Sequence, residues 1–471
     1  MEYCMKNTIS LVSSPKIFTY NLEGQKVTVN LNHNPFDFEP QTLFSLAARK
    51  NKKRGFLFVS NVLGKHVPVD PFIPLLGGLA LAFQFSSEIH GAEHPNTEAI
   101  IQALKGHEEP RKVYETVQQS PRFTLPKETL FIGFAETATA LGHTVFSVFE
   151  NAHYLHTTRE QISSLNPELN FSENHSHAVN HRCYPLNTEC LQTSKMIVLV
   201  DDEITTGNTA RNFIRELHAR FPKTEYVILS LLDWRTAEDR INYRELEREL
   251  ETKIHTISLL EGELTVTGDP FHEQINHLNP TKELNARKES VGTEHQYFNS
   301  LDLVPVSSED SLGNRNLSPY LKLTGRFGLS SRDHQEIRPI AKKIGEELLQ
   351  NRTSEKTLCL GTGEFMYFPM LISAYMGQGI RYHSTTRSPI YPFDKPEYGI
   401  KNGFAYDNPD DASITNYVYN IPLKYYDEVY LFLERDVAPE RLMSMLATFT
   451  NLEIPRLVLV IFASSLPTGI G

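Results

Sequence analysis

Short apolar segments that lead through a turn into a helix recur along this chain, and they constrain its fold more than any other feature. We predict such strand and helix pairs at 129–134 with 137–149, at 195–200 with 208–221, at 226–232 with 236–252, and at 356–361 with 368–376, followed by strands at 428–434 and 456–463. Strands that alternate with helices form parallel sheets that helices cover on both faces. The pattern therefore predicts an α/β fold, with a second α/β domain in the C-terminal third.

The chain has 471 residues, which is too many for one ordinary hydrophobic core. We predict a first domain over 1–275, a polar connector over 276–318, and a C-terminal α/β domain over 319–471. Four further predictions concern the first domain: a β-hairpin at 17–32, helices at 40–50 and 96–118, and a strand at 55–63.

Composition and charge narrow the class of protein. The formal net charge of −11 argues against a broad nucleic-acid surface. The four cysteines are scattered without metal-ligand or disulfide spacing. The chain starts without the apolar run of a signal peptide, and the apolar stretch 71–85 is too short to span a bilayer, so we interpret it as a buried helix. We expect a soluble, cytoplasmic enzyme with neither nucleic acid nor membrane as a partner.

The segment from Met196 to Thr209 carries the most specific chemistry. Five apolar residues predict a buried strand, and Asp201 and Asp202 stand at its carboxyl end, where open α/β sheets bind ligands. The small-residue turn that follows leads into an amphipathic helix, whose N-terminus favours anions. We predict that this turn binds a phosphate monoester through Thr205, Thr206, Gly207, Asn208 and Thr209. The two aspartates are candidates for contact with sugar hydroxyls or with metal-bound water, and the alternative is that they are solvated caps.

A second strand–turn–helix segment, Ile132 to Gly142, is a candidate for a second phosphate group. The predicted ligands of a pyrophosphate group are Phe134, Ala135, Glu136, Thr137 and Lys65. The competing interpretation is a turn that serves only packing. The polar stretch between the two segments contributes Arg159, which we predict to neutralise pyrophosphate, and His175 and His177, which are candidates for proton transfer. This stretch is alternatively an exposed loop without a role in chemistry.

The segment Leu229 to Arg235 ends a third predicted strand of the first domain. Asp233 and Trp234 follow its apolar residues, and we predict that they contact a planar acceptor, on which an indole ring can stack. The alternative for the only tryptophan of the chain is a place in the core.

The segment Val198 to Thr209 resembles the signature by which type I phosphoribosyltransferases bind 5-phosphoribosyl-1-pyrophosphate (PRPP). One position departs from that pattern, because Glu203 stands where the family usually has an apolar residue. Thr205 stands where purine-salvage members usually have an aspartate, as it does in orotate-type members. The resemblance implies a type I phosphoribosyltransferase-like parallel sheet flanked by helices, Mg²⁺ as cofactor, and PRPP and a small base-like acceptor as partners.

The C-terminal third resembles the domain named for its Thr-Arg-Ser-Pro motif (TRSP), through Gly361 to Tyr367 and Ser384 to Pro389. The first domain is similar to the phosphoribosyltransferases that precede this domain in bacterial tellurium-resistance and stress gene clusters. This resemblance implies phosphoribosyl transfer in a nucleoside-like metabolite pathway, with a homodimer or products of the same gene cluster as candidate partners. It does not imply an acceptor.

An internal repeat links the two domains. Gly133-x-x-Glu136 is followed by Tyr154 and by Thr157-Thr158-Arg159, and Gly361-x-x-Glu364 is followed by Tyr382 and by Thr385-Thr386-Arg387, with equal spacing. We hypothesise that the C-terminal domain is a diverged copy of the first and that Glu364, Thr386 and Arg387 mark its site. The segment Glu434 to Pro439 lacks the phosphate-binding turn. The sequence leaves three functions open: catalysis of phosphoribosyl transfer, non-catalytic sensing of PRPP, and release of a base from a nucleotide.

Overall fold

The computed structural model describes residues 16–22, 24–49, 54–172, 180–268 and 292–464. Within these ranges the chain forms an eight-stranded and a five-stranded sheet, with helices against both and several short ribbons. His175 and His177 lie outside the described residues.

The first part of the chain contains the strands β1 Lys16–Leu22, β2 Gln25–His33, β3 Phe44–Ala48, β4 Phe56–Ser60, β5 Phe123–Gly133, β6 Phe149–His156, β7 Gln161–Ile162, β8 Leu169–Ser172, β9 Asn180–Cys183, β10 Met196–Ile204, β11 Glu225–Asp233 and β12 Lys253–Gly268. Its helices are α1 Pro40–Leu43, α2 Phe72–His90, α3 Thr97–Leu104, α4 Pro110–Val117, α5 Ala138–Phe146, α6 Glu189–Thr193, α7 Asn208–Arg220 and α8 Ala237–Leu250.

The later part contains the strands β13 Thr293–Tyr297, β14 Leu303–Val304, β15 Ser308–Glu309, β16 Arg315–Asn316, β17 Tyr320–Leu321, β18 Leu329–Ser330, β19 Thr357–Gly361, β20 Ile380–Ser384, β21 Gly403–Asp407, β22 Thr415–Tyr419, β23 Glu428–Arg435 and β24 Arg456–Ala463. Its helices are α9 Ser331–His334, α10 Ile337–Asn351, α11 Tyr367–Ser373 and α12 Pro439–Asn451.

The eight-stranded sheet has the order β1-β2-β12-β11-β10-β5-β6-β18. Its five strands from β12 to β6 are parallel, as the strand–helix alternation predicts. The predicted hairpin is confirmed as β1 and β2, and it joins the sheet antiparallel to β12. The carboxyl ends of β5 and β10 lie side by side, since Gly133 pairs with Val200.

The five-stranded sheet is parallel throughout and has the order β13-β24-β23-β19-β20. Its edge strand β13 comes from the stretch that the sequence indicated to be a polar connector. The described part of that stretch is therefore not without structure. All five residues of β13 are exposed or half-buried, so the strand lacks the apolar alternation that would have indicated it in the sequence.

Two helix predictions need correction. Residues 44–48 are the strand β3, paired antiparallel with β4, and only Pro40–Leu43 is helical. The segment 96–118 is two short helices, because the chain turns at Gly106 with φ +81°.

The apolar stretch of the first domain lies in α2, and its burial confirms the predicted core helix. The helix spans Phe72–His90, which is long and apolar enough by composition to cross a membrane, but 78% of its most apolar window is buried inside the protein. It packs against α5, α3 and the sheet, so its apolar character has a structural explanation.

The two sheets share a common unit. In the first, a strand that ends in Gly133 lies between its partner β6 and the later strands β10 and β11; in the second, a strand that ends in Gly361 lies between β20 and the later strands β23 and β24. In each unit the corresponding tyrosine donates a hydrogen bond to a backbone carbonyl oxygen. Tyr154 donates to that of Thr139 at 2.6 Å, and Tyr382 donates to that of Met366 at 2.7 Å. Topology and contacts both support the duplication.

The repeat extends to a segment that precedes each unit. Gly64 and Gly325 adopt positive φ angles of +61° and +82°. A Cβ on Gly64 would lie 2.9 Å from Tyr382, and one on Gly325 would lie 2.4 Å from Tyr154, so each glycine packs on the tyrosine of the other unit. We call residues 64–69 and 325–330 the crossed arms. Each arm pairs with the edge of the other unit's sheet, through Val69 with Tyr382 and through β18 with β6.

Candidate functional site

The turn between β10 and α7 is the centre of the candidate site. Strand β10 is buried up to Val200, and Thr205 to Thr209 are half-buried at the carboxyl edge of the sheet. Helix α7 begins at Asn208, so its first N–H groups lie at this edge. The geometry has the elements of an anion site: a turn of small residues, threonine hydroxyls and a helix N-terminus.

Gly207 determines the shape of this turn. It is the N-cap of α7 and adopts φ +70°, a conformation that residues with a Cβ rarely take. Its carbonyl oxygen accepts a 2.7 Å hydrogen bond from the hydroxyl of Tyr243, and an added Cβ would lie 2.4 Å from that hydroxyl oxygen. Helix α8, which carries Tyr243, therefore fixes the turn from behind.

The acids at the end of β10 are held in different ways. Glu203, which departs from the family pattern, forms a two-pronged ion pair with Arg54 at 2.7 and 3.2 Å. This pair ties the site to the β3–β4 hairpin. The Asp201 carboxylate accepts from the N–H of Asp202 at 2.9 Å. Burial, together with the neighbouring Glu203, raises the pKa of Asp202 to about 6.

The second loop leaves β5 next to this turn. The N–H of Phe134 donates to the Val200 carbonyl at 3.0 Å, and the N–H of Ala135 donates to the Thr157 hydroxyl at 2.8 Å. The Phe134 side chain lies in the core against Phe213. The Ala135–Glu136 peptide bond is cis. The backbone N–H groups of Phe134 and Ala135 are therefore already hydrogen-bonded within the protein. The part of this loop that is left for a ligand is the backbone of Glu136 and Thr137.

Glu136 is a buried ion-pair centre. Its carboxylate accepts from Lys65 at 2.6 Å and lies 3.6 Å from a guanidinium nitrogen of Arg159. It also accepts from the backbone N–H of Arg387 at 3.4 Å. These cations lower the pKa of Glu136 although burial opposes them. Lys65 is 1% exposed and also donates to the Gly363 carbonyl at 3.1 Å, so its amine is used within the protein. Lys65 can make its predicted contact with pyrophosphate only if its contacts with Glu136 and Gly363 break.

Glu364 repeats this arrangement in the second unit. Its carboxylate accepts from the Thr158 hydroxyl at 2.6 Å and from the backbone N–H of Arg159 at 2.7 Å. Glu136 likewise accepts from the backbone of Arg387. Each glutamate therefore holds the Thr-Thr-Arg segment of the other unit, and the C-terminal unit positions Arg159 at the candidate site.

Arg326 is a central residue that the sequence analysis did not single out. It is 2% exposed and contacts three carboxylates: Glu364 at 2.5 Å, Glu434 at 2.8 Å and Glu160 at 3.3 Å. These acids raise its pKa well above the ordinary value. One sequence pattern could have identified Arg326 in advance: the Gly-Arg pair at 325–326 repeats the Gly-Lys pair at 64–65.

The predicted acceptor residues are enclosed. Trp234 is 2% exposed, stacks on Phe58 with ring centroids 4.7 Å apart, and contacts Phe44 edge-on. Asp233 forms a buried ion pair with Arg235 at 2.7 Å. In this arrangement the indole has no open face for an acceptor, because aromatic residues of β3 and β4 cover it. Thr386 is likewise engaged: its backbone pairs with Tyr417, and its hydroxyl accepts from the N–H of Ser388.

The raised pKa of Asp202 predicts a pH dependence of stability. An aspartate in the unfolded chain ionises near 3.8, and folding raises this pKa to about 6. Asp202 therefore contributes stability below about pH 4, and the contribution is lost as the pH rises to about 6. We expect the difference in melting temperature between Asp202→Asn and the native protein to change in favour of the variant from pH 4 to pH 6 and to stay constant at higher pH. Thermal unfolding of both proteins across this range measures it. A difference that does not change with pH contradicts the assignment.

Two family models match parts of this chain. A family model described as phosphoribosyl transferase (PRTase_2) matches residues 43–263, and a model described as the TRSP domain C-terminal to PRTase_2 matches residues 323–449. The first part of the chain is therefore a domain of this phosphoribosyltransferase family. The later part is a TRSP domain of the kind that follows this transferase domain.

Several solved structures are also similar. The adenine phosphoribosyltransferase from Trypanosoma brucei, in complex with AMP, pyrophosphate and ribose-5-phosphate, is 9% identical over 50% of this chain and 82% of its own, with a TM-score of 0.27. The enzyme from Giardia lamblia, complexed with 9-deazaadenine, is 17% identical over 31% and 75%, with a TM-score of 0.18. The enzyme from Leishmania donovani is 15% identical over 37% and 68%, with a TM-score of 0.20. No curated protein matches the chain.

Proposed function

We propose that the protein transfers the phosphoribosyl group of PRPP to a nitrogen of a base-like acceptor and releases pyrophosphate. The observation that carries the proposal is the pairing of two ligand loops on neighbouring strands. Thr205 to Thr209 follow β10, and Phe134 to Thr137 follow β5, at the same edge of the sheet. One loop suits a phosphate monoester, and the other lies beside the cation Arg159, which supports the proposal that they bind the two ends of PRPP.

In the proposed reaction the acceptor nitrogen forms a bond to C1′ of PRPP while the bond from C1′ to the pyrophosphate oxygen breaks, and the proton of the acceptor nitrogen passes to water. The 5′-phosphate binds the turn before α7, and the ribose hydroxyls donate to Asp201 and Asp202. Arg159, held by Glu364, stabilises the charge that develops on the departing pyrophosphate. The protein thus contributes positioning and electrostatic stabilisation.

Magnesium fits this proposal. Carboxylate oxygens are the ligand type that Mg²⁺ prefers, and Asp201 and Asp202 supply them next to the phosphate turn. The described ranges contain no group of three or more His, Cys, Asp or Glu side chains suited to a metal. We therefore propose that Mg²⁺ is carried mainly by PRPP oxygens and water, with the two aspartates in contact with that water. The ion neutralises diphosphate charge when it is bound.

The second candidate function is a PRPP sensor. It is favoured by one observation: the C-terminal unit holds the backbone of Arg159, so ligand binding in the first unit can be transmitted to the second. The buried Trp234 also leaves the acceptor position undefined in this arrangement.

One experiment separates the two functions. The protein is incubated with Mg²⁺, PRPP and a panel of purine, pyrimidine and azole bases, and released pyrophosphate is measured. We expect pyrophosphate to form with at least one base and not without it. PRPP binding by calorimetry with no pyrophosphate from any base supports the sensor. Absence of PRPP binding contradicts both functions.

A further inference from the structure

A small cavity lies at the carboxyl edge of the second sheet, in the unit without a phosphate turn. It measures about 50 Å³ and adjoins a cavity of about 490 Å³ that shares Pro409, Asp410 and Val437 with it. The turn 362–365, Arg387 and the end of β23 line the smaller cavity, and the hairpin of β21 and β22 closes it with Tyr406 and Asn416.

By the repeat, this cavity occupies the place of the proposed pyrophosphate loop. Gly363 and Glu364 correspond to Ala135 and Glu136. The correspondence holds in detail, because the N–H of Gly363 donates to the Thr385 hydroxyl at 3.0 Å, as that of Ala135 donates to Thr157.

The other half of the ancestral site is absent. Helix α12 has Pro439 within its first turn, where it supplies no N–H group, and its N-cap is Ala438. The second unit has therefore lost the arrangement for a phosphate monoester and kept the neighbouring loop.

The carboxylates around the smaller cavity are already neutralised. Glu364 and Glu434 bind Arg326 at 2.5 and 2.8 Å, and Asp410 binds Arg435 at 2.8 Å. Glu160 lies 3.4 Å from Arg435 and also contacts Arg326 and Tyr320. These acids therefore do not require a cationic ligand.

Polar groups without a hydrogen-bond partner of normal geometry remain in the same cavity. Within the described ranges the half-buried Arg387 guanidinium forms no hydrogen bond or ion pair, although Glu136 and Glu160 lie near enough for Arg387 to lower their pKa. The Tyr406 hydroxyl and Asn416 carbonyl oxygen, 3% and 4% exposed as residues, form no hydrogen bond of normal geometry there, although Thr385 and Asn416 lie near enough to the Tyr406 hydroxyl to oppose the rise that burial causes in its pKa. Buried polar groups without partners are costly, so a ligand that satisfies them is stabilised. The guanidinium and the hydroxyl require acceptor oxygens.

We propose that this cavity is a second ligand site, which binds a tetrahedral oxyanion: inorganic phosphate or one end of pyrophosphate. Its oxygens accept from Arg387 and Tyr406. Larger ligands that carry such a group extend towards the adjoining cavity. The site goes beyond the proposed transferase function and does not require the first unit to turn over.

The test removes the ribose and 5′-phosphate contacts of the first site before it measures the second, and the dependence on Arg387 distinguishes the second site from the pyrophosphate loop of the first. In the Asp202→Asn/Thr206→Ala background, phosphate, pyrophosphate and acetate are titrated by calorimetry, without PRPP. We expect binding of phosphate or pyrophosphate to persist in this background. Arg387→Met should weaken that binding at least about tenfold, because it removes a charge-assisted hydrogen bond. Tyr406→Phe should weaken it less. The matched control is Arg244→Met, which removes an exposed arginine of α8.

Two results overturn the proposal: no phosphate or pyrophosphate binding in this background, or binding that Arg387→Met leaves unchanged. Binding of acetate alone overturns it as well. Arg387→Lys, which keeps the charge, tests whether a loss with methionine reflects unfolding, and thermal unfolding of each variant accompanies the titrations. Because PRPP binding by the native protein is measured separately, failure of this site and failure of the transferase function are distinguishable.

Discussion

Replacing Arg326 with methionine should lower the free energy of unfolding by about 3–5 kcal/mol, the usual cost of removing one partner from a buried ion pair. The guanidinium is 2% exposed and is the shared partner of Glu160, Glu364 and Glu434. Without it, Glu364 and Glu434 keep no cation at ion-pair distance among the described residues. Urea denaturation at neutral pH measures the change.

The control for this prediction is Arg315→Met, which breaks an exposed ion pair with Glu309 and should cost at most about 1 kcal/mol. The loss in free energy of unfolding for Arg326→Lys should lie between those of Arg326→Met and Arg315→Met, because lysine keeps the charge and lacks the planar guanidinium fork. Lower pH should reduce the deficit of the methionine variant, because the stranded carboxylates then bind protons. A change in Arg326→Met as small as that of the control contradicts the central role of this residue.

The second large effect concerns the candidate PRPP site. Asp202→Asn combined with Thr206→Ala should weaken PRPP binding about 10²- to 10⁴-fold, because two hydrogen bonds that involve charged groups are each worth about 1.5–3 kcal/mol. Both side chains are half-buried at the edge of the sheet, and neither belongs to the apolar core, so the fold should persist. Calorimetry with PRPP and Mg²⁺ measures the affinity.

A matched pair of exposed positions controls for the change of residue type. Asp302→Asn with Thr265→Ala makes the same substitutions far from the turn and should leave PRPP affinity unchanged. Unaltered affinity in the Asp202 and Thr206 variant refutes the site. Equal losses in both variants indicate a general effect on folding.

Local patterns predicted much of this fold. The buried strand before Asp201 and the amphipathic helix after it could be predicted, because the spacing of apolar residues along a short segment directly reflects its secondary structure. The strand at 44–48 was missed because its exposure hardly alternates: four of its five residues are buried, and a short apolar run fits either a helix or a strand.

The candidate site was harder to predict, because long-range contacts decide the roles of its charged residues. Lys65 and Glu136 were both predicted to contact pyrophosphate, and the structure pairs them with each other. Trp234 was enclosed by Phe44 and Phe58, which lie far away in the sequence. Arg326 stood outside every predicted strand and helix, and the position of its three acidic partners shows what it does.

The crossed arms have a consequence for how this protein evolves. Each arm completes the sheet of the opposite unit, and its glycine fits a tyrosine there, so neither unit has a self-sufficient surface. If one unit were exchanged between related proteins, an arm from one parent would pack on a tyrosine from the other. These two parts would not have been selected as a pair. We therefore expect exchange at the connector to lower stability, so that the two units are retained together.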